Sequence, residues 1–140
     1  MPNRALVLDA NILIRAVLGN RVRRIIEEHA ERVSYFVPEA ACREAEEHLA
    51  ALVTKRGGDP AKARAFLQTL LQLVDLIGAE VYGDFEGEAR KRLGARDPDD
   101  WPILACALAL GCPIWTEDTD LFGCGVATWT SNRVEIFLRD

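Results

Sequence analysis

Apolar positions along the chain follow two alternating rhythms. Short continuous runs, "ALVL" at 5–8, "VSYFV" at 33–37, "PIW" at 113–115 and "GVATW" at 125–129, read as strands. Between them, apolar residues recur three and four apart, the period of a helix with one buried face. "ANILIRAVLG" predicts a helix ended by Gly19, and "RVRRIIEEHAE" predicts a second. Pro38 is expected to open the next helix, in which Ala41, Ala45, Leu49 and Leu52 form a buried stripe. "GGDP" at 57–60 then breaks the helical region into a hairpin, with Asp59 as cap and Pro60 at the first position of its second arm. "IGAEVY" at 77–82 predicts a further strand, and 84–94 a polar helix stopped by Gly94. A helix from about 99 to 110 should stop at Gly111, with Pro102 confined to its first turn. Asn132 with Glu135 predicts a capping box for a terminal helix.

Helices alternating with apolar strands predict a three-layer α/β/α sandwich. Its central sheet should be mainly parallel, with a helical hairpin around residues 40–75. The 140 residues fit one domain spanning 1–140, and the 49% hydrophobic content excludes a disordered chain. The net charge of −5 argues against binding nucleic acid by bulk charge, though not against local basic patches. Cys42, Cys106, Cys112 and Cys124 form no CxxC pair, and with two histidines there is no zinc-ligand spacing. They are expected to be free thiols in a reducing cytoplasm. The first apolar run reaches Asp9 after four residues, too short for a signal peptide, and no run approaches the roughly 20 residues needed to cross a bilayer.

The acids carry the chemistry. Asp97, Asp99 and Asp100 open an uncharged stretch that Glu117, Asp118 and Asp120 close, with no Lys or Arg between. Asp9 and Asp118 each stand at a strand's carboxyl end, and Asp100 opens the helix leading into the second of those strands. Parallel topology puts these ends on one edge, where α/β sheets place their sites. On the helix after Pro38, Glu44 and Glu46 flank the buried stripe on opposite sides, and helix phase does not choose between them. Acids gathered without a basic partner must stay protonated or hold a cation. Hard oxygen ligands suit Mg²⁺ or Mn²⁺, one or two ions. Such ions assist phosphodiester cleavage without a cysteine or histidine nucleophile.

These residues resemble the motifs of the PIN-domain nucleases. "LVLDANILI", "VPEAACREAEEHL", "DPDDWPILACALALG" and "IWTEDTDLFG" are similar to its four acidic motifs, in order, over residues 5 to about 138. The resemblance implies Asp9, Glu44, Asp100 and Asp118 as catalytic metal ligands, favouring Glu44 over Glu46. It implies Asp120 as an accessory acid and Asn11 and Thr116 as polar supports, while Asp97 is read as a cap that also supports. It implies a metal-dependent endoribonuclease of α/β/α fold, usually a homodimer. Many relatives are toxins of toxin–antitoxin pairs held inactive by a small antitoxin protein, and others process RNA.

Arg90, Lys91, Arg92 and Arg96 lead toward Asp100 and are candidates for holding RNA phosphates. So are Arg21, Arg23 and Arg24; either set also reads as a solvated helix face. His48, one turn after Glu44, reads as structural or surface. Trp101, Trp115 and Trp129 read as packing residues. Ala65, Phe66, Leu70, Leu73 and Val74 on the hairpin offer apolar surface for a dimer contact. Rival functions fit less well. An aspartyl phosphatase or phosphotransferase wants Asp-x-Asp where this chain has Asp9-Ala10-Asn11. A phosphoacceptor domain wants a late lysine, and there is none after Lys91. An idle RNA-binding or scaffold module would leave a repelling acid set without use.

Overall fold

A computed structural model describes residues 4–139. β1 (Arg4–Leu8) lies at the centre of a five-stranded sheet. It pairs with β2 (Val33–Pro38) on one side and with β4 (Ile114–Trp115) on the other. β3 (Asp75–Ile77) extends the sheet beyond β2, and β5 (Thr128–Trp129) extends it beyond β4. The order is β3-β2-β1-β4-β5, and every pairing is parallel. The chain therefore grows one way from β1 and then crosses back to grow the other way. The β1/β4 gap is the topological switch point, where such folds open a crevice at the carboxyl edge.

The helices follow the predicted periodicity closely. α1 (Ala10–Leu18), α2 (Arg21–His29), α3 (Glu39–Lys55) and α4 (Pro60–Leu70) pack on one another, with α3 and α4 forming the hairpin. Asp59 caps α4 by accepting the Ala61 N–H at 2.9 Å, with Pro60 at its first position. α5 (Ala79–Tyr82), α6 (Glu86–Leu93) and α7 (Trp101–Leu110) make a second group, in which α7 lies against β1 and β2. α7 carries no charged residue, and Pro102 through Ala107 are all buried, as expected of a helix apolar all round. It ends at Gly111 in the left-handed region (φ 66°, ψ 38°), a geometry that favours glycine. α8 (Val134–Leu138) closes the described chain. No helix of the described residues is long and apolar enough to cross a membrane. All four cysteines are free and buried.

Three expectations need correction. Pro38 ends β2 in extended geometry (ψ 140°) and α3 begins at Glu39. The third strand ends at Ile77, not at residue 82. β2 turns into α3 after Pro38, the partner of Ile77, so the chain beyond has no strand to pair with and coils into α5. There Tyr82 packs against the Trp101 ring, 5.8 Å between centroids. The capping box at Asn132 does not form either. Its Oδ1 accepts Arg21 Nη1 at 2.9 Å, Arg133 occupies the cap position, and Glu135 lies 3.8 Å from His29.

Candidate functional site

Asp9 follows β1 directly and caps α1, its Oδ1 accepting the Ile12 N–H at 3.0 Å. That cap fixes the side chain beside the neighbouring strand. Its Oδ2 accepts the Thr116 hydroxyl. Thr116 Oγ1 in turn accepts the Asp118 N–H at 2.9 Å, and Asp118 Oδ1 accepts the Asp120 N–H at 2.9 Å. A chain of hydrogen bonds thus ties the end of β1 to the loop after β4. Asp9 and Thr116 are both buried, so the bond between them is shielded from water, while those of Asp118 are half-buried.

Asp97 and Asp100 approach from the loop before α7, in a 3-10 turn over Pro98–Asp100. Asp97 Oδ1 accepts the Asp99 N–H at 3.0 Å, which holds the turn. Oxygens of Asp97, Asp100 and Asp118 lie within 4.8 Å of one another. Glu44 and His48 on α3 and Asn11 on α1 complete the wall of a pocket of about 130 Å³ that Asp9 also lines. None of the described residues lining it is a lysine or arginine.

Burial first, then the nearby Asp118 and Glu44 charges, raise the Asp9 carboxyl from 3.8 to about 6, against the lowering pull of its Thr116 and Ile12 hydrogen bonds. Asp100 is pushed up to about 9 by burial, by its contact with Asp118, and by the charges of Asp118, Asp97 and Asp9. Its Oδ2 is buried without a hydrogen-bond partner among the described residues. A shared proton or a cation is what such an atom needs. The donor set fits a hard divalent ion: Asp97, Asp100 and Asp118 converge, Asp9 and Glu44 line the same pocket beside Asn11 and His48, and no described lining residue is a lysine or arginine. Glu28, His29 and Glu135 also converge, but Arg32 Nη2 stands 3.2 Å from His29 Nδ1, and its charge opposes a cation there.

The structure brings together Asp9, Asn11, Glu44, Asp97, Asp100 and Asp118 of the expected residues, with Thr116 bracing two of them. Glu46 turns away, accepting Gln68 Nε2 at 3.1 Å. Asp120 does not line the pocket; its backbone positions Asp118. Glu117 accepts the Ser131 N–H at 3.0 Å. His48, expected to be structural or surface, lines the pocket; its spacing of one turn from Glu44 was the available signal. Arg90 pairs with Glu86 at 2.7 Å and lies over the Trp101 ring. Arg92 pairs with Glu88 at 3.0 Å and also donates to the Cys124 carbonyl, and Arg96 donates to the Phe122 carbonyl at 2.7 Å. Lys91 is exposed. Trp115 is fully buried, with its Nε1 donating to Ser131 Oγ at 3.1 Å, and Trp129 stacks on Phe137.

The PIN domain family profile matches residues 7–139. No curated protein matches the chain significantly. Among solved structures, the chain is similar to PAE2754 from Pyrobaculum aerophilum, with 18% identity and a TM-score of 0.72 over 99% of this chain and 91% of that one. It is also similar to VapBC2 from Rickettsia felis, bound to a DNA fragment from its promoter. That match has 16% identity and a TM-score of 0.66, covering 90% of this chain and 98% of that one. A toxin–antitoxin complex from Klebsiella pneumoniae matches at 19% identity and a TM-score of 0.63, over 90% and 97% of the two chains.

Proposed function

The chain belongs to the PIN-domain family, and from that premise we propose that it is a single-domain, metal-dependent endoribonuclease. The observation that carries the reading is the pocket itself: Asp9, Glu44, Asp97, Asp100 and Asp118 line it without a lysine or arginine among the described residues, and a buried Asp100 oxygen lacks a partner. Asp9, Glu44, Asp100 and Asp118 would hold one or two Mg²⁺ or Mn²⁺ ions, with Asp97 and Asn11 beside them. When bound, such ions supply positive charge against the scissile phosphate and its leaving oxygen and acidify an attacking water.

The chain's own residues do the rest. Thr116 orients Asp9 through its hydroxyl and Asp118 through that residue's N–H. The Asp120 backbone fixes Asp118 Oδ1, and Asp99 fixes Asp97. These bonds preset the carboxylates, so little reorganisation is needed when a phosphodiester enters. By analogy with the family, the products would be a 3′-hydroxyl and a 5′-phosphate.

The similar toxin–antitoxin structures support a role as the nuclease of such a pair, held by a small antitoxin and acting in the cytoplasm. Exposed Phe66 and Leu73 on and just after α4 support a homodimer, which light scattering would test. The decisive assay incubates single-stranded RNA with the protein and Mg²⁺ or Mn²⁺, with and without EDTA, beside Asp9→Asn. Cleavage lost in both arms is the expected result; cleavage that survives chelation and the substitution would overturn the mechanism.

A further inference from the structure

The cations expected to hold RNA, on and after α6, are largely engaged within the protein: Arg90 and Arg92 in ion pairs, Arg92 and Arg96 on loop carbonyls. A different set is not. Arg15 on α1, Lys55 at the end of α3 and Arg56 just after it have no ion pair or side-chain hydrogen bond among the described residues. Lys55 lines a groove that borders the acidic pocket, and Arg15 and Arg56 line a further depression next to that groove. Asn11 and His48 line the pocket and also a neighbouring groove of about 340 Å³ between α1 and α3, floored by Ile14, Ala51 and Leu52 and reaching Lys55. Ile14 is shared with a third depression of about 500 Å³, where Arg15, Arg21 and Arg56 stand. The one acid among its described lining residues, Glu117, is tied to the Ser131 N–H.

We propose that these adjoining depressions, from the acidic pocket along α1 and α3 to Arg15 and Arg56, are the track for the single-stranded RNA flanking the cleaved bond, with Arg15, Lys55 and Arg56 holding its phosphates. The proposal rests on the nuclease reading above and adds the path of the substrate. Three features select this occupant. Helix geometry dictates the reach: Glu44, His48, Leu52 and Lys55 follow one face of α3, and eleven residues at 1.5 Å each carry the track roughly 16 Å from the acids. The charge reverses along it, from a pocket of carboxylates that needs cations to a rim of cations that needs anions, although the whole chain carries −5. The floor between them is aliphatic and can cover the faces of unpaired bases, with the His48 ring at its head to stack on, and a duplex would not present its base faces to it. His48 stands where pocket and groove meet, beside the first nucleotide beyond the cleaved bond.

The test compares Lys55→Gln/Arg56→Gln with Lys62→Gln/Arg64→Gln, which removes the same charge from the exposed side of α4. Affinity for a fluorescein-labelled single-stranded RNA is read by anisotropy in an Asp9→Asn background across salt concentrations, and KM and kcat are read with Mn²⁺ in the wild-type background. The groove variant should bind roughly 10-fold more weakly and raise KM more than it lowers kcat. Its plot of log affinity against log salt should be shallower by about 1.4, the value for two phosphate contacts on a single strand. The α4 variant should match the parent. If the parent cleaves RNA and both variants share its affinity and KM, the track is overturned and the groove is left to a protein segment. Equal losses in both variants would reduce the effect to general charge and overturn it as well. A parent that neither binds nor cleaves RNA would bring down the nuclease reading and the track with it.

Discussion

Replacing Asp9 by asparagine should make the metal-free protein more stable at neutral pH while destroying its response to metal. The carboxyl is buried and its pKa is raised from 3.8 to about 6. Below pH 4 the group is protonated in both folded and unfolded chains and exerts no penalty. Between about 4 and 6 the unfolded chain ionises while the folded one keeps its proton, so stability falls as pH rises; above 6 the penalty is constant. A rise of about two pKa units corresponds to about 3 kcal/mol. Asparagine removes that penalty and keeps an oxygen for the Ile12 N–H, but it must reverse the bond with Thr116, at about 1 kcal/mol. The net gain above pH 6 is about 2 kcal/mol, or roughly 5 °C in Tm for a chain of this size. Thermal melts in EDTA from pH 4 to 8 should show the variant slightly the less stable near pH 4, the two proteins crossing between pH 4 and 6, and the variant then staying above the wild type by a constant margin. Added Mn²⁺ should raise only the wild-type Tm. A stability difference that does not change with pH, or a variant that still gains from Mn²⁺, would refute the reasoning.

Glu44→Gln should reduce RNA cleavage by more than the roughly 10–100-fold typical of a supporting partner, whereas Glu46→Gln, whose carboxylate faces Gln68, should leave cleavage at the wild-type rate in the same assay. Binding of Mg²⁺ or Mn²⁺ near pH 7.5 should expel about one proton, because Asp100 is held protonated up to about 9 and a cation reverses that preference. Calorimetry in buffers of different ionisation enthalpy reads this directly, and heats independent of buffer would contradict it. Thr116→Val removes the donor to Asp9 and the acceptor of the Asp118 N–H; urea midpoints should report a loss of about 1–3 kcal/mol, with cleavage lowered as the two carboxylates lose their brace.

Local sequence determined the pieces and their chemistry. Apolar runs and helical spacing specified the strands at 5–8 and 33–37 and the helices ended by Gly19 and Gly111, because burial of one face and the stop signals are properties of neighbouring residues. Acids placed directly after strands, with no cation nearby, announced the pocket, because parallel topology sends every strand's carboxyl end to one edge. Tertiary structure decided what depends on distant partners. β3 stops at Ile77 because its neighbour ends at Pro38, and Asn132 serves Arg21 across 111 residues instead of capping its own helix. Glu44 rather than Glu46 meets the pocket because α4 packs against one flank of α3 and supplies Gln68 to the other acid. The arginines of α6 find acids and a carbonyl within reach, while among the described residues Arg15 and Arg56 find none. A chain's periodicity says which side of an element is buried; only packing says which groups then meet, and the energies of buried charges depend on that meeting.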